Sequence, residues 1–507
     1  MIEVVRALYK KRKTKKLVRE DSLEVQEENI SDIPSDSVEL LEWLRGKFHN
    51  TSDLRILEIS NLLLFYIDNT VEKREFNLNV IGRLRKDRDY TMKTVISDIA
   101  IHDLENTNSL QHAVLALLKG SVAIYVEQHQ SLLLVKIPSD QYRSLSRPEN
   151  ESQVIGPQVG FNESLSTNLS LIRKYISTPD LCNELFILGK RTNTAVSLMY
   201  INGIASDELL DRLKKKLESI DVDGVLDSSV LNQLISDNTL SIFPQLLLTE
   251  RPDRICDGLL NGKMALLVEG STMAILCPLS FIEFFESRED YNVRWPIASF
   301  VRLLRIVAML LSVFFTALYV AALTFHYEVI PQALLVPLGE SRSRVPFPPL
   351  FEALLLEFII ELLREAGARL PTKVGQTMGI VGGIVIGTAA VQAGFTSNIL
   401  IIIVALGALA SFTTPSYTMG SLIRIIRFPL LLLAGFWGFY GIMFGFCLIL
   451  LHLLRLTTLD SPYMAPFYPP RFSDWMDSIV RLPFKFTSRR PQLSRPENKQ
   501  KYNPDEV

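Results

Sequence analysis

The chain has 507 residues, of which 48% are hydrophobic, and a mean hydropathy of +0.20, which together indicate membrane-embedded segments. Its 53 Lys and Arg residues nearly balance 55 Asp and Glu residues, so no basic field favours binding to nucleic acid. The cysteines lie far apart without a CxxC pair, so we expect reduced thiols, no metal site and no cofactor. They are Cys182, Cys256, Cys277 and Cys447.

The first 50 residues are strongly charged. A basic run over residues 10–19 precedes an acidic stretch over residues 20–36. This pattern is typical of a solvated, disordered tail, and a clamp on anionic lipid headgroups is the alternative interpretation. No apolar segment follows the N-terminus, so we expect no cleaved secretory signal and a cytoplasmic start of the chain.

The section that follows alternates between strand and helix patterns. Buried strands are predicted at Asn61–Asp68 and Ala195–Asn202, and an amphipathic helix is predicted over Ser206–Ser219 with its first residue as N-cap. Asn162 or Ser164 is expected to cap a further helix that connects two lobes.

An internal duplication is visible in this section. The segment Leu117–Glu127 recurs in similar form 142 positions later as Leu259–Glu269. Each copy predicts a helix end closed by a glycine, then a strand, a short turn and a second strand. We therefore expect two related α/β cytoplasmic lobes, at residues 51–155 and 156–295.

Three later stretches contain no charged residue. Since about 20 apolar residues cross a bilayer core, Ile306–Phe325 predicts one transmembrane helix, Val374–Ile423 predicts two, and Phe428–Leu454 predicts one long tilted helix. We expect a membrane domain at residues 296–456 and a cytoplasmic tail at 457–507. The predicted fold is thus an α/β two-lobed soluble N-terminal domain followed by an α-helical multi-span membrane domain.

Basic residues flank these stretches in a conflicting order. Arginines before the first span place its start in the cytoplasm. The basic residues Arg424 and Arg427 and those of the tail also indicate a cytoplasmic position. Either Phe428–Leu454 dips into the membrane and returns as a hairpin, or the two arginines lie outside or within protein. We favour four crossings, with the segment Phe351–Glu365 only partly inserted.

That segment predicts a helix of about 16 residues with an acidic side. The acids are Glu352, Glu357, Glu361 and Glu365. Because a carboxylate facing lipid is costly, we interpret the first three as candidates that line a water-filled pore and favour cations. An interfacial helix with its acids in water, or salt bridges to Arg364 or Arg369, are the alternatives.

The next segment is rich in small residues. Glycines recur every four positions, at Gly375, Gly379, Gly383 and Gly387. Such a face lets another helix backbone approach closely in lipid, so these glycines predict helix packing. Space for ions in a pore wall is the second interpretation.

Several segments resemble the GerA family, the A subunits of the nutrient-germinant receptors of bacterial endospores. The similar stretches are GPQVGFNESLSTNLSLIRKYI (156–176), RPDRICDGLLNGKMALLVEGSTMAILCP (251–278), a run over residues 344–399 that contains EALLLEFIIELLREAGARLP, SFTTPSY (411–417) and RIIRFP (424–429). The resemblance covers roughly residues 50–485.

The resemblance implies a multi-pass protein of the spore inner membrane with its N-terminal domain on the core side. It also implies a transporter-like B subunit that senses the nutrient, a lipoprotein C subunit, and a homo-oligomeric ring that passes ions. A paralogue encoded with the dipicolinate-channel genes forms a closely similar branch of the family.

Enzyme motifs such as GxxxxGK[ST], GxSxG and HExxH do not occur in the sequence, so we expect no catalysis. The first hypothesis is a nutrient-gated ion-conducting subunit. The second is a non-conducting membrane scaffold that gathers partner subunits. A secondary transporter is less favoured because the membrane region has no inverted repeat.

Overall fold

A computed structural model describes residues 33–34, 36–85, 87–101, 103–127, 129–139, 147–370, 382–383 and 387–503. The basic run of the tail lies outside these residues, and both of its interpretations stay predictions. The described chain forms two α/β lobes followed by a helical region, which confirms the predicted order of an α/β domain and a helical one.

The first lobe is a five-stranded antiparallel sheet with helices on both faces. Its strands are β1 (Leu54–Ile59), β2 (Leu62–Ile67), β3 (Leu104–Thr107), β4 (Ser121–Val126) and β5 (Leu132–Lys136). Its helices are α1 (Ser37–Lys47), α2 (Lys73–Phe76), α3 (Met92–Asp98) and α4 (Leu110–Leu118). The strands lie in the order β1-β2-β4-β5-β3.

Helix α1 belongs to this lobe and not to a disordered tail. Asp36 caps it by accepting a hydrogen bond from Val38 N at 3.0 Å. Leu40, Leu44 and Phe48 recur every four residues and are buried against the sheet. Helix α1 therefore packs on the first lobe although it precedes the predicted boundary at residue 51, because its apolar stripe is thin within a charged segment.

The second lobe repeats the arrangement of the first. Its strands are β6 (Leu181–Leu188), β7 (Thr194–Ile201), β8 (Leu247–Thr249), β9 (Met264–Val268) and β10 (Ala274–Cys277), in the order β6-β7-β9-β10-β8. Its helices are α5 (Leu165–Tyr175), α6 (Asp207–Glu218), α7 (Ser228–Ile235) and α8 (Pro252–Leu260). The strand order of the second sheet is the strand order of the first with five added to each strand number. This equivalence confirms the predicted duplication.

Gly120 and Gly262 occupy equivalent positions after α4 and α8. Their φ angles are +87° and +81°, a conformation that side chains with a Cβ rarely adopt. A Cβ at Gly120 would also lie 2.5 Å from the carbonyl oxygen of Thr70. Glycine is thus required where each helix turns into the central strand of its sheet.

A buried ion pair joins the two lobes. Arg173, at the end of α5, donates from Nε and Nη2 to the two carboxylate oxygens of Asp53, both at 2.9 Å. Neither side chain is more than 1% exposed. Ser164 caps α5 as predicted, accepting from Thr167 N at 3.4 Å. The bidentate geometry fixes the orientation of one lobe on the other.

The helical region follows a short helix, α9 (Glu289–Asn292). Its helices are α10 (Trp295–Phe325), α11 (Gln332–Arg342), α12 (Pro349–Arg369), α13 (Gly387–Gln392), α14 (Asn398–Ser411) and α15 (Tyr417–Arg455). Of these, α10 and α15 are long and apolar enough to cross a membrane. Helix α12 has 21 residues and is longer than the predicted segment, because it continues through Gly367.

Helix α15 is folded back on itself at Gly438, whose φ of 60° and ψ of −138° are not helical. A Cβ at Gly445 would lie 2.5 Å from Cδ2 of Leu430, although residues 15 positions apart in a straight helix are separated by about 22 Å. The predicted single tilted helix at Phe428–Leu454 is therefore wrong, and the alternative of a hairpin is correct.

The chain after α15 packs on the second lobe, and is not a free tail in the part that the structure describes. It includes a short helix, α16 (Trp475–Ser478). Tyr463 is fully buried, and Ser494 donates from Oγ to the carbonyl oxygen of Asn261 at 2.7 Å. Arg490 donates from Nε to the carbonyl oxygen of Leu260 at 2.8 Å.

Candidate functional site

The acidic side of α12 faces the other long helices of the same chain. Glu352 is fully buried, Glu357 is 4% exposed, and the side chain of Glu361 is 40% exposed. Pro349 occupies the first turn of α12, where a missing N–H costs nothing. Glu357 and Glu361, four residues apart, lie about 40° apart around the helix axis, whereas Glu352 lies about 140° from Glu357 around the same axis.

Glu357 lies at the centre of a four-helix polar node. Its Oε2 accepts a hydrogen bond from Nη1 of Arg427 at 2.5 Å, and its Oε1 accepts from Oγ1 of Thr316 at 2.9 Å. Nη2 of Arg427 donates to Oγ of Ser312 at 2.8 Å and to the carbonyl oxygen of Gly407 at 3.3 Å. The node thus connects α10, α12, α14 and α15 through one charge-assisted pair.

Glu352 binds the N-terminus of α14. Its Oε1 accepts from Ser397 N at 2.5 Å and from Oγ1 of Thr396 at 3.1 Å. Nη2 of Arg342 lies 4.0 Å from the other carboxylate oxygen. Free N–H groups and the helix dipole stabilise a carboxylate in this position.

Glu361 lies nearest the lobes and is the most open of the three acids. Nε of Arg424 donates to its Oε1 at 3.2 Å. The neighbouring Arg364 donates to Oγ of Ser411 at 3.2 Å and its guanidinium lies 4.3 Å from the ring centroid of Phe412. Each of the three acids thus faces one arginine from another helix, and we call these three pairs the carboxylate ladder.

A second polar site lies where the second lobe, the start of α10 and the C-terminal segment meet. It is a cavity of about 570 Å³, lined by Glu286, Tyr291 and Asp477 among others. Burial raises the pKa of Glu286 to about 8. Beside it, Asp290 accepts from Nε of Arg302 at 3.0 Å and from Nη1 of Arg305 at 2.8 Å, which ties the first turns of α10 to the lobe.

Comparison with known proteins identifies the family. The family model described as "Bacillus/Clostridium GerA spore germination protein" matches residues 42–493. The chain is 45% identical over 480 residues to spore germination protein GerQA of Bacillus cereus, covering 94% of this chain and 96% of that one. The chain belongs to the GerA family of spore germination proteins.

Two further similarities are found. The GerA-family chain is 49% identical over 396 residues to spore germination protein GerIA of Bacillus cereus, covering 78% of this chain and 59% of that one. The crystal structure of the N-terminal domain of the A subunit of the Bacillus megaterium spore germinant receptor GerK3 is 28% identical. It covers 50% of this chain and 98% of that one, with a TM-score of 0.39.

The predicted site residues of this GerA-family member have unequal surroundings. Glu352 and Glu357, predicted to line a pore, contact groups of their own chain, and Glu361 is partly open; pore lining stays a prediction. One of the alternative salt bridges is present, because Arg369 pairs with Glu365, the last acid of the acidic side, whereas Arg364 donates to Ser411. Sequence reasoning treated Arg427 mainly as a flank, although an arginine between apolar residues requires a partner.

The glycine ladder is described only in part. Gly375 and Gly379 lie outside the described residues. At Gly383 and Gly387, a Cβ would find no heavy atom of this chain within 4 Å. Close packing at these glycines therefore stays a prediction, and its partner would have to come from outside the described residues.

The four cysteines of this GerA-family chain are free thiols, of which Cys182, Cys256 and Cys277 are buried and Cys447 is exposed. Burial raises the pKa of Cys182 to about 11, so this thiol remains protonated at neutral pH. Among the described residues, His, Cys, Asp and Glu side chains form no group of three or more that could hold a metal ion.

Proposed function

We propose that this chain is the membrane-embedded A subunit of a nutrient-germinant receptor. In this proposal several copies surround an ion conduit, which opens when a nutrient binds to a partner subunit and so triggers germination. The named relatives are spore germination proteins. The mean hydropathy of the most apolar windows of α10 and α15, 2.5 and 1.9, supports insertion into a bilayer.

The buried pair of Glu357 and Arg427 is the observation that carries the proposal. Both residues lie in apolar helices, where an ionised side chain is costly and marks a functional element. In the described arrangement Arg427 neutralises Glu357 and occupies the space among four helices. We propose that this is the closed state, and that movement of α15 withdraws the guanidinium and frees the carboxylate to attract cations.

The three acids would then form successive steps of a cation path. Glu361 is the first step from the lobes, because its side chain is 40% exposed. Glu357 and Glu352 follow at about 6 Å and about 13 Å along α12. A ring of such ladders, one from each copy, would present several carboxylates at each level.

Contacts between helix ends give the directions of the described helices. Glu352, early in α12, lies beside Ser397, which itself contacts Tyr319 late in α10, so α12 and α14 run antiparallel to α10. Phe347, just before α12, stacks on Phe395, just before α14, with ring centroids 6.0 Å apart, so both helices begin at the same end of the region. The hairpin α15 ends beside the second lobe, where His452 contacts Ser241, and we propose that the lobes and the C-terminal segment lie on one side of the membrane.

We place the lobes on the core side of the spore inner membrane, following the family resemblance. The partners in this proposal are the transporter-like B subunit and the lipoprotein C subunit. The cavity beside Arg302 lies where movement of a lobe would reach α10, so the lobes are suited to pass a signal to the helices.

The test is a cation-flux measurement on receptor complexes that contain Glu361→Gln. We expect the nutrient-dependent release of monovalent cations to fall severalfold while the protein accumulates at its normal level, because one carboxylate of the path is lost. Glu365→Gln is the matched control, since Glu365 lies one turn further on and, among the described residues, pairs with Arg369 on its own helix. Equal flux in both variants would contradict conduction through the ladder.

A non-conducting scaffold is the second candidate. The observation in its favour is that Glu352 and Glu357 each accept hydrogen bonds from their own chain, as expected of groups that only hold helices together. A scaffold predicts unchanged flux in every variant that still assembles with the partner subunits, measured by co-purification.

A further inference from the structure

We propose that the loop at residues 236–246 of the second lobe inserts its tip, Leu240 and Ile242, into the surface of the lipid bilayer. The proposal rests on the proposed function in that α15 must span the membrane. Its consequence is a second attachment of the lobe to the bilayer, independent of the helical connection through α10.

The loop lies at the end of the second sheet that faces the helical region. Leu247, which follows the loop, pairs with Leu276, one residue before the chain leaves the sheet. The turn between β9 and β10, next to Ala274, is at the opposite end of the same strands. The direction of the strands therefore brings the loop next to the helices.

The end of α15 holds the loop directly. Nε2 of His452 lies 2.8 Å from Oγ of Ser241, and the His452 ring lies 5.7 Å from the ring of Phe243. Just beyond the helix, Oγ1 of Thr458 donates to the carbonyl oxygen of Gln245 at 2.6 Å. The loop is therefore fixed at the level where the last helix of the region ends.

The tip is apolar and rigidly presented. Leu240 is 93% exposed and Ile242 is 60% exposed. Oδ1 of Asn238 accepts from Leu240 N at 3.0 Å, and Gln245 bonds both backbone groups of Asn238. Hydrogen bonds within the loop, and not contacts with an apolar core, thus hold Leu240 outward.

The loop carries no free charge that would oppose insertion. Asp237 is its one charged residue, and its carboxylate accepts hydrogen bonds from Nζ of Lys216 at 2.5 Å and Oγ1 of Thr457 at 3.2 Å. An apolar tip above a polar, internally bonded base is the arrangement found in segments that lie in a membrane interface.

The occupant that fits this tip is lipid. The second arm of α15 exposes an apolar stripe of Phe444, Leu448 and Leu451, and this stripe ends next to His452, which holds the loop. A bilayer that covers the stripe would continue onto Leu240 and Ile242 at the same height. A protein partner would need an apolar surface that covers both the stripe and the loop tip. The experiment distinguishes such a partner from lipid.

The experiment places an environment-sensitive fluorophore on the full chain in lipid nanodiscs of phosphatidylglycerol and phosphatidylethanolamine. The label is attached through Leu240→Cys in a Cys447→Ser background, because the other three cysteines are buried. Leu226→Cys is the matched control. Leu226 is a leucine with 76% exposure that lies at the opposite end of the sheet, since its neighbour Val225 accepts from Thr194.

We expect the emission of the label at position 240 to shift to the blue and to be quenched by headgroup-level brominated lipid, whereas the label at 226 is quenched only by aqueous iodide. A label on native Cys447 tests the membrane span separately. If lipid quenches the label at 447 while iodide quenches the label at 240, the membrane span stands and only the insertion of the loop is overturned. If the label at 240 becomes protected from iodide only after partner subunits are added, the tip binds a protein and not lipid. Iodide quenching at 447 would overturn the proposed function.

Discussion

At the scale of single residues, the Glu357–Arg427 pair connects four helices of the helical region. Desolvating two charges is costly, and their attraction offsets this cost only when hydrogen bonds satisfy the remaining atoms. Thr316, Ser312 and Gly407 provide such bonds. Nε of Arg427 has no partner among the described residues, so the pair is not fully satisfied. An incompletely satisfied buried pair is suited to an element that must change its arrangement.

Arg427→Leu is expected to lower the free energy of unfolding by about 3–5 kcal/mol, because it leaves the Glu357 carboxylate buried without a counter-charge. Arg427→Leu combined with Glu357→Leu should recover most of this loss. The measurement is a double-mutant cycle by thermal unfolding of the purified chain in detergent. Additive losses in the double variant would show that the two residues do not depend on each other.

The acidic side of α12 could be predicted at this scale, because helical periodicity places residues four apart on one face. The residues that contact these acids could not be predicted from the sequence. Arg427 and Ser312 are 115 positions apart, and no local pattern relates them. An arginine beside Phe428 in an apolar segment was the one available signal, since such a charge requires a partner.

At the scale of elements, α15 depends on one glycine. The backbone at Gly438 has φ 60° and ψ −138°, a region that residues with a Cβ avoid. His326, stacked on Phe439 with ring centroids 4.8 Å apart, closes the space beside the turn. The hairpin therefore requires both the conformational freedom of glycine and the absence of a side chain.

Gly438→Ala is expected to destabilise the chain by about 1–3 kcal/mol through backbone strain. Its Cβ would also lie 2.9 Å from Nε2 of His326. Thermal unfolding in detergent measures the effect. Gly339→Ala is the control, since Gly339 lies within α11 and a Cβ there meets no atom within 4 Å. An equal melting temperature for the two variants would be inconsistent with a required turn at Gly438.

Helix lengths at this scale were predicted less well than helix positions. The predicted segment ended at Glu365, but the helix continues to Arg369, where Glu365 and Arg369 form an i,i+4 pair. Glycine lowers helix propensity without forbidding a helix, so tertiary contacts along the rest of α12 decided its length.

At the scale of the whole molecule, the junction beside the cavity connects the second lobe, α10 and the C-terminal segment. Asp290 binds Arg302 and Arg305, and Nη1 of Arg302 also donates to the carbonyl oxygen of Asp477. Glu286 faces this junction together with Glu283, Lys263 and the groups just named. Charges from three parts of the chain thus meet in a partly enclosed space.

The raised pKa of Glu286 predicts a pH dependence of stability. Its pKa is about 8 in the folded chain and 4.5 ordinarily, so between these values the unfolded chain releases a proton that the folded chain retains. Stability contributed by this group is therefore lost as the pH rises from 4.5 through 8. We expect Glu286→Gln to flatten the fall of the melting temperature between pH 5 and pH 8.

The control for this prediction is Glu127→Gln, a substitution of an exposed acid on the first lobe. This variant should keep the pH dependence of the parent chain. If Glu286→Gln also keeps it, the dependence arises from other groups at the junction, such as Asp477, whose pKa is also raised by burial.

The sequence by itself determined the features that depend on neighbouring residues: the two related lobes, the glycines that close α4 and α8, the acidic side of α12 and the apolar segments. These follow from periodicity, propensity and hydropathy, which act over a few turns. Only the tertiary structure decided that α1 joins the first lobe, that α15 folds back at Gly438 and that Arg427 meets Glu357. Each of these depends on contacts between distant segments, whose free energy arises only when the chain is packed.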